Sequence, residues 1–216
     1  MGLEDGYAGK VPENLSPSLA AIHRYLEYGH EMALSFNQLS RAESEGFAAH
    51  KQILADFNEE VIRPAISDFS AEAARHRMTI ILQGETTSIK ADADLMRVTM
   101  DNLIGNAVKY GQEGTEIRVT TLETKGNLRV EVWNEGVGVP KERFPQLFAK
   151  FSRIQDPKLK TRKGTGVGLY LVQKIVGLHG GQAGVDGKYG KWVKFWFEIP
   201  GGDFAKNAKG INGKGL

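Results

Sequence analysis

The sequence predicts an α+β fold: a two-layer sandwich of one mixed sheet and about three helices, with a partial helical stalk in front. Three observations predict it. Helical and period-two segments follow each other in mixed order, without the regular strand–helix alternation of a parallel α/β sheet. Two pairs of short alternating segments late in the chain suit antiparallel hairpins. The chain also opens with a long apolar-patterned helix that has no strand nearby to cover it.

Residues 1–46 divide into a Gly-rich tail and this first helix. Asn14 or Ser16 caps it, with Pro17 tolerated in the first turn. Leu19, Ile22, Leu26, Met32, Phe36 and Leu39 mark its apolar side, an interruption is expected near Gly29, and Gly46 stops it. Such a helix pairs with another helix. The main unit is expected over 47–200. Gln52-Ile53-Leu54 reads as a short strand, and 58–75 as a helix with Pro64 in its first turns, where proline costs least. Met78 to Leu82 and the surroundings of Ile89 read as strands. Asp92 begins a helix running through Lys109. Residues 116–125 and 128–133 alternate with period two around Gly126-Asn127, a hairpin turn signal. Residues 141–165 are irregular and basic, 167–178 helical, and 181–186 with 192–199 a closing hairpin. The Gly/Asn/Lys-rich stretch 201–216 is expected to be a disordered tail.

Composition narrows the function classes. With 41% hydrophobic residues the chain can build a core, and a net charge of +2 gives no reason to expect nucleic acid as partner. There are no cysteines, so disulfides and thiolate metal sites are excluded, and a reducing cytoplasm fits. No apolar run reaches the roughly 18 residues of a membrane helix. No membrane contact is expected within the segment, whatever anchors its parent.

Four segments carry the chemistry. In Asp101-Asn102-Leu103-Ile104-Gly105-Asn106-Ala107-Val108-Lys109-Tyr110, Asn102 and Asn106 lie four apart on one side of a helix, with Lys109 one turn on. An amide carbonyl is a hard oxygen ligand that suits Mg²⁺, and a lysine is a point charge for phosphate. Taken alone, this reads more readily as a solvent-facing helix side. Asn134-Glu135-Gly136-Val137-Gly138-Val139-Pro140 follows a strand, and its glycines let backbone approach a flat ligand. An ordinary strand-exit turn has the same look. Leu147-Phe148-Ala149-Lys150-Phe151-Ser152-Arg153 leads into a basic loop. Gly164-Thr165-Gly166-Val167-Gly168-Leu169 runs into a helix, where unpaired amides at the positive dipole end suit phosphate. Its G-x-G-x-G spacing is neither a Walker loop nor a dinucleotide fingerprint.

In this order and spacing the four segments resemble the N box, first glycine box, F box and second glycine box of histidine-kinase catalytic domains, whose wider group includes DNA gyrase, mismatch-repair ATPases and heat-shock chaperones. Residues 39–44 resemble the end of the family's dimerisation hairpin. The resemblance implies ATP and Mg²⁺ as ligands. Asn106 would hold the metal, with Asn102 alongside, and Lys109 and Tyr110 would meet phosphate and nucleotide. Asn134 would read the adenine amino group. Gly136, Gly138, Val139, Gly164, Thr165, Gly166, Val167, Gly168 and Leu169 would shape the pocket and cradle. Phe148 and Phe151 would anchor a lid over 152–163, and Lys150 would supply a charge to the terminal phosphate. It further implies transfer of the γ-phosphoryl group to a histidine, relay to a response-regulator receiver domain, and a homodimeric parent.

The sequence departs from the family in places. Asn134 stands where the family has Asp; an amide can flip and donate, which predicts relaxed selectivity towards guanine. Asn102 stands where water-using relatives carry a glutamate, and it is no general base, so phosphoryl transfer is favoured over hydrolysis. His30-Glu31 is followed by Met-Ala-Leu-Ser with no proline, only nine residues before Leu39, so the phosphoacceptor is expected upstream of residue 1. His179 is read as a structural helix-end cap. Val193 and Lys194 occupy a stretch where relatives place a hydroxyl. A hydrolytic ATPase of this fold, a nucleotide-binding degenerate signalling module and a serine kinase stay open as alternatives.

Overall fold

A computed structural model of the chain describes residues 16–44, 48–84, 86, 88–124, 126–152 and 164–201. The lid expected over 152–163 and the tail after 201 fall almost wholly outside these residues. Helix α1 spans Ser16–Glu43 and is followed by strand β1, Gln52–Leu54. A π-helical turn, Asn58–Ile62, leads straight into α2, Arg63–Arg75. Then come β2 (Thr79–Gln83), β3 (Ile89–Ala91), α3 (Ala93–Tyr110), β4 (Glu116–Thr124) and β5 (Asn127–Glu135). A 3₁₀ turn at Lys141–Gln146, α4 (Gly168–Leu178), β6 (Gln182–Lys188) and β7 (Trp192–Pro200) complete the chain.

The main sheet has five strands in the order β2-β4-β5-β7-β6. Only the β2–β4 pair is parallel, so the sheet is mixed. Expected as part of one sheet, β1 and β3 instead pair with each other as a separate two-stranded antiparallel ribbon. The two three-residue strands match in length, pairing Gln52 with Ala91, Ile53 with Lys90 and Leu54 with Ile89.

Strict alternation divides β4, β5 and β7 into two faces. Ile117, Val119, Val130, Val132, Phe195 and Phe197 point inward, where α2, α3 and α4 cover them. Phe57 and Phe197 meet edge to face, with ring centroids 6.5 Å apart. The opposite face carries ion pairs and tryptophans. Arg129 bonds Glu131 and Glu198 at 2.7 Å each and stacks on Trp196 at 4.0 Å. This charged cover solvates a face that no second layer buries.

Two expectations about helices need correction. Helix α1 is not interrupted near Gly29 but continues to Glu43. Gly29 has open space around it, and one exposed helical glycine costs only about 1 kcal/mol. Its C-terminal end contacts α4, while Tyr25, Leu26 and Phe36 stay exposed. Gly46, the expected stop, lies outside the described residues. Asp92 does not open α3 as a helical residue. It caps the helix from extended backbone, its Oδ1 accepting the Leu95 amide at 3.1 Å. Asp92 Oδ2 also accepts the His50 amide at 2.8 Å, tying the chain before β1 to this cap. No helix among the described residues is long and apolar enough to cross a membrane.

Candidate nucleotide-binding site

The site forms where α3 ends. Leu103, Ile104, Ala107 and Val108 are buried against the sheet, so Asn102, Asn106, Lys109 and Tyr110 line the half-exposed side of the helix. The end of β5 is stitched to this helix terminus. Gln112 donates its amide to Glu135 O at 2.9 Å, and Gly111 forms a β-bridge with Gly136. A β-carbon at Gly136 would lie 2.6 Å from the Tyr110 carbonyl, so only glycine permits the approach.

Asn134 sits one strand-face inward at this junction, only 2% exposed. Its Nδ2 donates to the Glu135 carbonyl at 2.8 Å. A carbonyl accepts only, so this bond fixes which end of the amide faces which way. The side-chain oxygen is the end turned away from the Glu135 carbonyl. Val193 lies directly across from Asn134 in β7 and shares its face, whereas Lys194 is on the other face, bonded to Glu131 at 3.1 Å. This stretch of β7 therefore presents an apolar side chain on the Asn134 face.

The glycine run meets α3 at two points. A β-carbon at Gly164 would lie 3.2 Å from the Tyr110 hydroxyl and 3.6 Å from Lys109 Nζ. One at Gly168 would overlap Asn102 Oδ1, so Asn102 packs on the first residue of α4. Its Nδ2 bonds back to Val98 O at 2.7 Å. Asn102 is thus a strut between two helices, while among the described residues Asn106 shows no side-chain hydrogen bond. Val167, the N-cap of α4, supplies no side-chain cap, and the first turn holds no acid, which leaves the first amides facing the glycine run. Thr165 Oγ1 accepts the Val167 amide at 3.4 Å. Val139 and Val167 are buried and Leu169 packs against the core, so these three shape walls rather than present polar groups.

The F-box segment differs from expectation. Phe148 packs on the core, but Phe151 is 62% exposed and has a left-handed backbone, φ 58°. It does not anchor through its ring; its main chain lies under Gly166, where an added β-carbon would come within 2.8 Å of Phe151 C. Lys150, expected on the phosphate side, is paired with Glu43 at the end of α1. No sequence pattern points to that pair, because it depends on where α1 ends in space. Nor was the role of Asp92 as acceptor for His50 visible in any motif.

A match to the family of histidine kinase-, DNA gyrase B- and HSP90-like ATPases covers residues 91–203. The chain belongs to that family, and its sandwich with the glycine run at the α3–α4 junction is the family's ATP-binding fold. Among curated relatives it is 29% identical over 188 residues to sensor histidine kinase YkoH of Bacillus subtilis, covering 86% of this chain and 39% of that one. It is 37% identical over 117 residues to the adaptive-response sensory kinase SasA of Crocosphaera subtropica, covering 54% of this chain and 30% of that one. The catalytic domain of histidine kinase ThkA superposes with a TM-score of 0.61 at 26% identity, covering 70% of this chain and 96% of that one. The chain thus spans well under half the length of these curated relatives.

Proposed function

We propose that the chain is the ATP-binding catalytic part of a sensor histidine kinase, its catalytic unit spanning 47–200. It would transfer the γ-phosphoryl group of ATP to a histidine, for relay to a receiver domain. The observation that carries this is the convergence of Asn106, Lys109, Tyr110, Asn134 and the glycine run on one junction. The relatives' names support the reading, as does a structure of ThkA in complex with the response regulator TrrA, similar to this chain at 22% identity with a TM-score of 0.69. A homodimeric parent fits the exposed Ile22, Leu26 and Phe36 on α1.

In this reading Asn106 supplies a carbonyl oxygen to Mg²⁺. Among the described residues no three His, Cys, Asp or Glu side chains cluster as a metal cage, and a magnesium carried in on phosphates needs none. When bound, the ion spreads the charge that develops on the transferring phosphoryl group. Lys109 and the amides of the glycine run hold the phosphates, and Tyr110 closes over them. Asn102 cannot activate water, since it is an amide committed to Val98 and Gly168, which favours transfer over hydrolysis.

Asn134 is assigned to adenine. With Nδ2 held by Glu135, its oxygen accepts from the adenine amine, whereas guanine would present a second acceptor there. The guanine tolerance expected from a flipping amide requires a freedom this side chain lacks. GTP should bind roughly ten- to a hundredfold more weakly than ATP, the cost of one unpaired buried polar group. Equal affinities in a competition titration would return the flipping amide to favour.

Calorimetric titration with ATP, with and without Mg²⁺, tests the function. Binding should depend on magnesium and weaken roughly ten- to a hundredfold in Asn106→Ala, the scale of a lost charge-assisted contact. A folded chain that binds no ATP would discard the kinase reading in favour of a degenerate signalling module.

A further inference from the structure

Where the end of helix α1 meets α4, Glu43 makes two polar contacts. Glu43 Oε1 accepts from the Tyr170 hydroxyl at 2.9 Å and pairs with Lys150 Nζ. Both partners flank the glycine run: Tyr170 is in the first turn of α4, and Lys150 precedes the Phe151 backbone that lies against Gly166. Lys150 Nζ is 5.3 Å and Lys174 Nζ 5.6 Å from the Tyr170 ring centroid. Two ammonium groups therefore flank a ring whose hydroxyl bonds the carboxylate. The hydrogen bonds from Lys150 and Tyr170 hold the Glu43 carboxyl below its ordinary range, and the bond to Glu43 raises Lys150.

We propose that Lys150, Tyr170 and Lys174 form a carboxylate receptor that docks α1 onto the catalytic layer through Glu43, and that nucleotide polyphosphate competes with Glu43 there. The second half rests on the nucleotide site proposed above. The first turn of α4 contains no acid of its own, so Glu43 is a negative charge brought to it from a distant part of the chain. Tyr170 stands two residues after Gly168, the last glycine of the run, so polyphosphate held by the run would bring further negative charge to the same end of α4. The two repel, and Lys150 cannot neutralise both at once. Coupling is reciprocal: what loosens Glu43 strengthens nucleotide binding, and nucleotide loosens the dock. The pair is solvent-exposed, so the coupling is modest.

Glu43→Gln in the full chain tests both halves. By calorimetry with Mg²⁺, ATP should bind about two- to fivefold more tightly than to wild type, the scale of one exposed ion pair. The chain has no cysteine, so spin labels at N37C and K188C report the distance from α1 to the sheet. That distance should be narrowly distributed in the wild type. It should broaden in E43Q, and also in the wild type when ATP is added. An unchanged distribution in E43Q overturns the dock. A broadened distribution with unchanged ATP affinity overturns the competition and leaves the nucleotide site standing. A folded chain that binds no ATP overturns the competition together with the site.

Discussion

Gly166→Ala is expected to weaken ATP binding at least about a hundredfold while leaving the fold intact. Gly166 has φ +72°, where a side chain costs about 1–2 kcal/mol. The larger effect is steric. The added β-carbon would lie 2.8 Å from Phe151 C and 2.9 Å from Ser152 O. Both are backbone atoms, in a turn that is itself held left-handed at Phe151. Neither can swing aside as a side-chain tip would, so the glycine run must lift from the F-box turn. The amides before α4 then lose the positions from which they converge on phosphate. The unfolding temperature should drop by only about 2–8 °C, the scale of that backbone strain, because the buried residues of α3, α4 and the sheet are untouched. Calorimetry beside a thermal melt checks the prediction. ATP affinity within threefold of wild type would mean that the Gly166–Phe151 contact does not shape the cradle.

How much of this could be read in the sequence depended on whether the signal was local. The hairpin of β4 and β5, the run of α3 and the glycine entry to α4 follow from periodicity and turn chemistry within a few residues. Asn102 and Asn106 were placed on one face by spacing alone. Their different duties were not legible, because only the arrival of Gly168 beside Asn102 makes it a strut. Asn134 was marked as a departure, but the direction of its amide depends on the Glu135 carbonyl, which strand geometry supplies. The family resemblance implies Phe151 as a second anchor beside Phe148. The chain turns left-handed at that residue instead, and its ring is exposed. Lys150 and Tyr170 gave no hint of Glu43, more than a hundred residues earlier, since a long-range ion pair leaves no periodic trace.

His179→Phe is expected to destabilise the fold by about 2–4 kcal/mol and to remove a pH dependence that the wild type shows. The imidazole is 5% exposed and joins two helices. Its Nδ1 lies 2.8 Å from Ile175 O, a carbonyl that can only accept, so Nδ1 carries the proton. Nε2 is then the acceptor for the Asp92 amide at 3.0 Å, the cap residue of α3. Phenylalanine fills the space but leaves that buried N–H without a partner, a cost of about 1–3 kcal/mol, and the Ile175 contact is lost as well. The same geometry sets the pH response. Burial holds the His179 pKa below its ordinary value, against the Ile175 hydrogen bond and the Asp92 charge, with Lys51 acting in the same direction as burial. Protonation would place an N–H against the Asp92 N–H. The unfolded chain therefore takes up this proton at higher pH than the folded one. The contribution is full above the unfolded value of about 6.5 and shrinks as pH falls below it, by at most about 1.4 kcal/mol per unit. Urea melts between pH 8 and pH 5 should show the wild type losing stability at the acid end and His179→Phe losing less. Parallel losses in both proteins would assign the acid sensitivity to other groups and leave His179 its hydrogen bonds to Asp92 and Ile175 alone.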